Sequence, residues 1–415
     1  MKKILYSILS LGFVGFVSAQ VTTDTITTGA GYLNQKYYSL SNDEQATAGA
    51  KDWHVAFCAL GQQPGMSIRF NSLNGVLRLL PNADVEAPIT SIDTSGWANE
   101  AQLVDMDSNY FVGAFDQNAG NSQVDYSWGE YNQTTHKLSP KRIFGAQMGG
   151  DFYAIHFGLS AQTKTYHITY YKLGETDSVT YDLNYTPYMS KNYVYTNLFD
   201  QSVLDLEPKA NAWDLFFGQY YTNVGGGMLY PVAGVLNNLK TEVAKVIDTD
   251  PANYTRTGTE EYSINNNVIG YTWKAAGQGG VTIADTVVYF VKATDGAIWK
   301  VRFTDFISGG GSDPLAGSYI LKKELISAVG VKDVATVFTQ IYPNPANNTA
   351  QLVVDAIENT TIAIYSLTGA QVYTNTIHGG LQTLSINTAE LMSGMYQVMV
   401  TSNGNTTSKK LIVQH

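Results

Sequence analysis

Six histidines, one cysteine and nine methionines are the side chains of this 415-residue chain best able to ligate a metal, attack a carbonyl or move a proton. The histidines are His54, His136, His156, His167, His378 and His415. No two of them stand four residues apart, the spacing with which one helix face holds zinc. A serine triad needs a histidine between a serine and a carboxylate, and no nucleophile-elbow motif is present. Glu260 and Glu261 are adjacent, so on a strand they point to opposite faces, a poor glycosidase geometry. Cys58 has no second cysteine to pair with, which excludes a disulfide framework and a thiolate zinc site. It lies in the apolar stretch Trp53-His54-Val55-Ala56-Phe57-Cys58 and reads as a buried, inert thiol. None of the glycine clusters has the lysine and hydroxyl pattern that cradles a phosphate. The chemistry-bearing residues therefore point to a binding protein, not an enzyme.

The elements that must position these residues are strands. Twenty-eight tyrosines, 38 glycines and frequent alternation indicate β structure. The clearest alternating runs are Tyr166 to Tyr171, Val287 to Val291 and Trp299 to Phe303, punctuated by glycine turns at 149–150, 225–227, 279–280 and 309–311. The chain also matches itself in three ordered places, which predicts an internal repeat. Asp52 to Phe57 matches Ala212 to Phe217, Gly75-Val76-Leu77 matches Gly234-Val235-Leu236, and Gly150 to Phe157 matches Gly296 to Phe303. A net charge of −10 repels phosphate backbones and anionic lipid, which argues against nucleic acid as a partner.

The two ends differ from the middle. Lys2 and Lys3 precede a short apolar run, Ile4 to Val17, and Val17-Ser18-Ala19 has the small residues of a cleavage site. This predicts a secretory signal peptide over 1–19 and no integral membrane segment once it is removed. From Ile341-Tyr342-Pro343-Asn344-Pro345 onward, short strands and turn glycines predict a sandwich of about seven strands.

That last unit resembles the type A sorting domain of the type IX secretion system. The matching residues are Tyr342-Pro343-Asn344-Pro345, Ile364 to Gly369, Ser393 to Val398 and Lys409 to Val413. The resemblance implies export through that machinery to the outer surface or the medium. The two upstream copies resemble the HmuY family, the second more closely through Trp213-Asp214-Leu215-Phe216-Phe217, Val288 to Lys292 and Trp299 to Phe303. In the first copy His54 stands where the family has the aspartate. The expected architecture is all-β: a divergent HmuY-like domain over 20–185, a second over 186–330, a linker over 331–339 and the sorting domain over 340–415.

The HmuY resemblance implies haem, or a haem-carrying protein, as partner, with iron held by histidine or methionine. The second copy has no histidine between 190 and 325, so the first must supply the ligands. Met106, ahead of an expected strand at Tyr110 to Phe115, and His136, ahead of one at Arg142 to Ala146, form the expected iron-ligating pair. Met148, in a Gln-Met-Gly-Gly turn, is the substitute. The alternative is an adhesion or carbohydrate- or protein-binding module without haem, stacking its ligand on aromatic faces such as Trp97, Trp128 and Trp273.

Overall fold

The computed structural model describes residues 21–60, 66–120, 122, 124–277, 280–311, 313–327, 338–356, 359–378, 380–402 and 405–415. The expected signal peptide and most of the expected linker lie outside them. A leading arm carries β1 (Thr22–Thr27), β2 (Asn34–Ser39) and β3 (Asp43–Gly49). A body follows with β4 (Val55–Cys58), β5 (Ile68–Phe70), β6 (Gly75–Leu79), β7 (Gly129–Asn132), β8 (Lys137–Pro140), β9 (Phe144–Met148), β10 (Asp151–Ser160) and β11 (Thr165–Lys172). The next arm has β12 (Val179–Asn184), β13 (Tyr193–Asn197) and β14 (Ser202–Leu204). Its body has β15 (Leu215–Asn223), β16 (Leu229–Asn237), β17 (Glu242–Ile247), β18 (Lys274–Gly277), β19 (Gly280–Ile283), β20 (Val287–Lys292), β21 (Ile298–Ile307) and β22 (Ser318–Ser327). The tail adds β23 (Phe338–Tyr342), β24 (Thr349–Ala356), β25 (Thr360–Ser366), β26 (Gln371–Ile377), β27 (Gly380–Asn387), β28 (Gly394–Ser402) and β29 (Asn405–Val413). The fold is all-β, as the alternation requires; the helical segments among the described residues are three-residue turns.

The strands pair antiparallel in two matched sets of sheets. One set joins a five-strand path β12-β11-β10-β9-β6, with β8 attached to β10 and β7 to β8, to a four-strand sheet β14-β13-β4-β5. The other joins β1-β22-β21-β20-β17 to β3-β2-β15-β16. Pairing thus crosses between chain segments on either side of residue 185: β13 lies on β4, while β1 lies on β22 and β2 on β15.

Each set encloses an aromatic core. The first contains Phe57, Phe115, Trp128, Phe144, Phe157 and Tyr166; the second contains Phe217, Trp273, Tyr289, Phe303 and Tyr319. Alternation places these side chains: Val301 and Phe303 face inward while Arg302 between them is half-exposed. Burying one such ring, at about 150–250 Å² and about 25 cal/mol per Å², contributes about 4–6 kcal/mol. Trp128 and Trp273 are therefore core residues, not ligand-stacking faces. Trp97 is half-buried, with its Nε1–H donated to Gly145 O at 2.8 Å.

The strand expected at 110–115 does not form. Asn109 Oδ1 turns the chain by accepting the Phe111 N–H at 2.9 Å, and Asp116 caps the turn that follows through the Gly113 N–H at 2.6 Å. Gly113 also passes so close to Ile68 that a Cβ would lie 2.1 Å from its carbonyl oxygen. The strand expected from Arg142 begins instead at Phe144 and runs to Met148, which ends β9 ahead of the Gly149-Gly150 turn.

The tail is a sandwich of two sheets, β23-β24-β27 and β26-β25-β28-β29. It rests on the rest of the chain. Tyr342 stacks on Phe111 (centroids 6.4 Å apart), Val353 joins a buried cluster with Leu239 and Trp213, and Asp355 pairs with Lys240. Lys409 Nζ lies 3.5 Å from Glu242 Oε1.

Candidate functional site

The two four-strand sheets meet along a seam, and the arms bring two tyrosines to its centre. Tyr37 on β2 and Tyr195 on β13 place their hydroxyl oxygens 3.0 Å apart. Each meets a tryptophan edge-on: Tyr37 and Trp213 are 5.0 Å apart at 75°, Tyr195 and Trp53 5.1 Å apart at 75°. The Tyr195 hydroxyl donates to Glu207 Oε2 at 3.0 Å, and Gln35 Nε2 donates to the Tyr37 hydroxyl at 3.3 Å. Burial pushes the Glu207 carboxyl up to about 7, against the Asn192 N–H at 3.0 Å and the Tyr195 hydroxyl. Burial likewise raises both tyrosines well above their ordinary range.

Beside this cluster a cleft opens between the two sets of sheets. The cavity it encloses is small, about 70 Å³. The aromatic walls are Tyr37, Trp53, Phe70, Tyr110, Tyr195, Phe216, Tyr220 and Tyr221; Gln35, Asn71, Ser72, Gln219, Asp105, Asp107 and Arg69 supply the polar groups. Arg69 is held from three sides. Its Nε donates to Asp105 Oδ2 at 3.0 Å, and its guanidinium lies over Tyr110 (5.1 Å) and Tyr193 (5.3 Å). Asp105 is fixed in turn by the N–H groups of Phe70 (3.1 Å) and Ala114 (2.9 Å), although burial raises its carboxyl pKa.

On residues that border this cleft, Trp53 Nε1, Ser72 Oγ and Tyr220 Oη are buried side-chain atoms without a protein hydrogen-bond partner. Trp53 is itself only 9% exposed. An indole N–H can only donate, and the Nε1 of the fully buried Trp213 is likewise without an acceptor. The cleft can thus stack a ring on aromatic faces and offer that ring both donors and acceptors.

The residues expected to hold iron lie elsewhere. Met106 is 42% exposed and borders a different groove, formed with Asn109, Tyr262, Asn265 and the tail residues Tyr342 and Asn344. His136 sits exposed in the β7–β8 turn at a left-handed φ of 53°, with Nδ1 2.7 Å from the Tyr131 hydroxyl. Met148 is 1% exposed in the first core. None of these three lines the seam cleft. Among the described residues no three histidine, cysteine, aspartate or glutamate side chains gather as a metal site. Cys58 is buried and its thiol is pushed up to about 12 by that burial, in keeping with an inert role.

One constellation escaped the sequence. Ser160 Oγ lies 2.9 Å from His167 Nε2, and His167 Nδ1 lies 2.6 Å from Asp182 Oδ1. The connectivity is that of a serine triad, and the signal for it is the register His167↔Asp182 across β11 and β12. The imidazole and carboxylate lie open to water, with side-chain exposures of 42% and 62%. The N–H after the serine, on Ala161, is already donated to His136 O at 3.2 Å. That N–H is the donor an oxyanion would need first, and the three side chains form a cross-strand hydrogen-bond network.

Comparison with known proteins gives two family matches. Residues 189–319 match the model of the HmuY protein, and residues 340–414 match that of the secretion system C-terminal sorting domain. The sorting domain marks the chain as one exported by type IX secretion to the cell surface or extracellular space. Both domain types are binding or sorting types, not enzymes. No curated protein matches the chain. Among solved structures it shows a likeness to the dimeric latent PorU from Porphyromonas gingivalis, at 10% identity and a TM-score of 0.19. The match covers 63% of this chain and spans 31% of that one.

Proposed function

We propose that this exported chain is a non-catalytic capture protein whose ligand is a hydroxyl-bearing ring, a sugar residue of a glycan, seated in the seam cleft. The observation that carries this is the ring of aromatic side chains around the cleft, Trp53 with its unpartnered Nε1 among them, interleaved with Gln35, Asn71, Gln219 and Asp107. Aromatic faces stack on the apolar faces of sugar rings, and the amides and carboxylates match their hydroxyls. The test is titration of glycan fragments into the mature chain, followed by tryptophan fluorescence. Trp53→Phe keeps an aromatic face but deletes the donor together with the pyrrole half of the indole. A neutral hydrogen bond is worth about 1 kcal/mol net, so binding weakens about fivefold. Unchanged affinity in Trp53→Phe, or no glycan bound at all, refutes the assignment.

The HmuY match favours a second reading, haem capture. His136 and Met106 are exposed and can each offer one axial ligand from the surface; Met148 must first leave the core. Haemin added to the mature chain then gives a ligand-bound absorption band that His136→Ala or Met106→Ala weakens. The absence of a band removes this reading and leaves the glycan reading standing.

A further inference from the structure

The two sets of sheets correspond strand for strand, and the correspondence extends to single hydrogen bonds. Asn71 Nδ2 donates to Ala50 O and Trp53 O at 2.9 Å each; Asn238 Nδ2 donates to Ala210 O (2.7 Å) and Trp213 O (2.6 Å). The Leu198 N–H donates to His54 Nδ1 at 3.2 Å; the Leu40 N–H donates to Asp214 Oδ2 at 2.8 Å. The Tyr185 N–H reaches Lys164 O and the Thr28 N–H reaches Gly317 O, both at 3.0 Å. Registers agree as well: Tyr166↔Leu183 and His167↔Asp182 on one side answer Tyr319↔Ile26 and Ile320↔Thr25 on the other.

In this correspondence β1–β3 are equivalent to β12–β14, and each arm pairs with the body that it does not precede. The arm β2 lies on β15, and the arm β13 lies on β4. The pseudo-twofold relation passes through the Tyr37–Tyr195 hydroxyl contact, which explains why the two Tyr–Trp pairs share one geometry. The segment matched as HmuY protein, 189–319, therefore holds an arm that serves the other half and lacks the one that completes its own sheets.

We propose that the exported cargo is an internal duplication closed by exchange of its arms, in which the acceptor surface formed by β15 and β22 takes residues 22–49 as its strand-donating partner. Residues 55–204 supply both sheets of the first set from one continuous stretch, whereas the second set, built on 215–327, is incomplete without residues 22–49. The seam cleft is a product of the closure, because Gln35 and Tyr37 arrive with the first arm and Tyr195 with the second. Long-range pairing of this kind leaves two open strand edges until the arm docks, so arm docking is the step that removes an aggregation-prone surface.

Two cysteine pairs in the mature chain discriminate the arrangements. Thr25→Cys with Ile320→Cys joins directly opposed residues, whose Cα separation in an antiparallel ladder suits a disulfide. Thr25→Cys with His167→Cys joins the arm to the equivalent place on the body that it precedes. The native Cys58 is buried and stays silent. The expected result is oxidation of the first pair to a closed monomer, seen as faster migration on a non-reducing gel, and free thiols in the second. Oxidation of the second pair instead overturns the exchange. Disulfide-linked dimers from the first pair overturn closure within one chain, and replace it with exchange between two chains. Thr23→Cys with Lys322→Cys, opposed in the same ladder, guards against a variant that fails to fold; no closed monomer from either β1–β22 pair also overturns the proposal.

Discussion

Asp214 and His54 hold equivalent places, and removing each side chain measures how firmly each arm is tied. Asp214 is 1% exposed and accepts three hydrogen bonds: the Leu40 N–H at 2.8 Å, the Thr294 N–H at 2.7 Å and the Thr294 hydroxyl at 2.9 Å. Hydrogen bonds to charged groups are worth about 1.5–3 kcal/mol each. Burial raises the Asp214 pKa despite these donors, so for the charged form desolvation outweighs what they return. Asp214→Ala leaves three donors without their acceptor, at about 1–3 kcal/mol for each buried one, and should cost about 3–5 kcal/mol. His54 accepts one neutral bond, from the Leu198 N–H at 3.2 Å, and packs on Phe199 with ring centroids 4.2 Å apart. His54→Ala should cost about 1–2 kcal/mol. At a urea dependence of about 2–3 kcal/mol per molar, the two midpoints separate by about 1 M. Hydrogen exchange supplies the local readout: Asp214→Ala lowers protection across 34–49, His54→Ala across 193–204. An equal or larger loss in His54→Ala, or protection lost in the arm that the mutated residue does not touch, refutes the reasoning.

Glu207 provides the pH test. Its folded pKa of about 7 lies above the ordinary carboxyl value of 4.5, so the folded state holds the proton more tightly. That contribution is present at low pH and is lost as pH rises from about 4.5 to about 7, amounting to about 3 kcal/mol. Glu207→Gln should flatten this stretch of the stability profile, measured as urea midpoints between pH 4.5 and pH 8; an unchanged slope counts against a buried, protonatable Glu207. Deleting residues 340–415 should abolish appearance of the chain at the cell surface or in the medium, followed by fractionation and immunoblotting; undiminished export refutes the sorting role. A fluorophosphonate probe should leave Ser160 unmodified by mass spectrometry, and labelling that disappears in Ser160→Ala would make the Ser160–His167–Asp182 network a nucleophilic site.

Local pattern carried much of the fold. Alternation located β11, where period-two burial writes itself into neighbouring residues, and β21 in part; β20 was found as a short apolar run, and it is buried on both faces. The partners of those strands were not legible. Nothing near Thr22 records that it lies opposite Lys323, since pairing across such a distance is decided by which edges remain open. The site was hidden for the same reason: Tyr37, Trp53, Arg69, Tyr110, Tyr195 and Tyr220 converge from six places in the chain. Composition alone also cannot tell a stacking tryptophan from a core one, and Trp128 and Trp273 turned out to fill the two cores. His54, which departs from the Trp-Asp pattern, reproduces one of the three bonds Asp214 accepts, because an unprotonated imidazole nitrogen accepts a backbone N–H as a carboxylate oxygen does.

The pairing of β1 with β22 has a mechanical consequence. The strand that leads toward the sorting tail is the one clamped between β1, by six residue pairs, and β21. Tension that reaches Ser327 along the strand axis loads β22 in shear against both neighbours. Hydrogen bonds that lie across the line of pull share the load and must fail together, whereas a strand peeled from its end releases them singly. The first residues of the cargo thus act as a splint for its last strand, on the path by which a tether at the tail would pull.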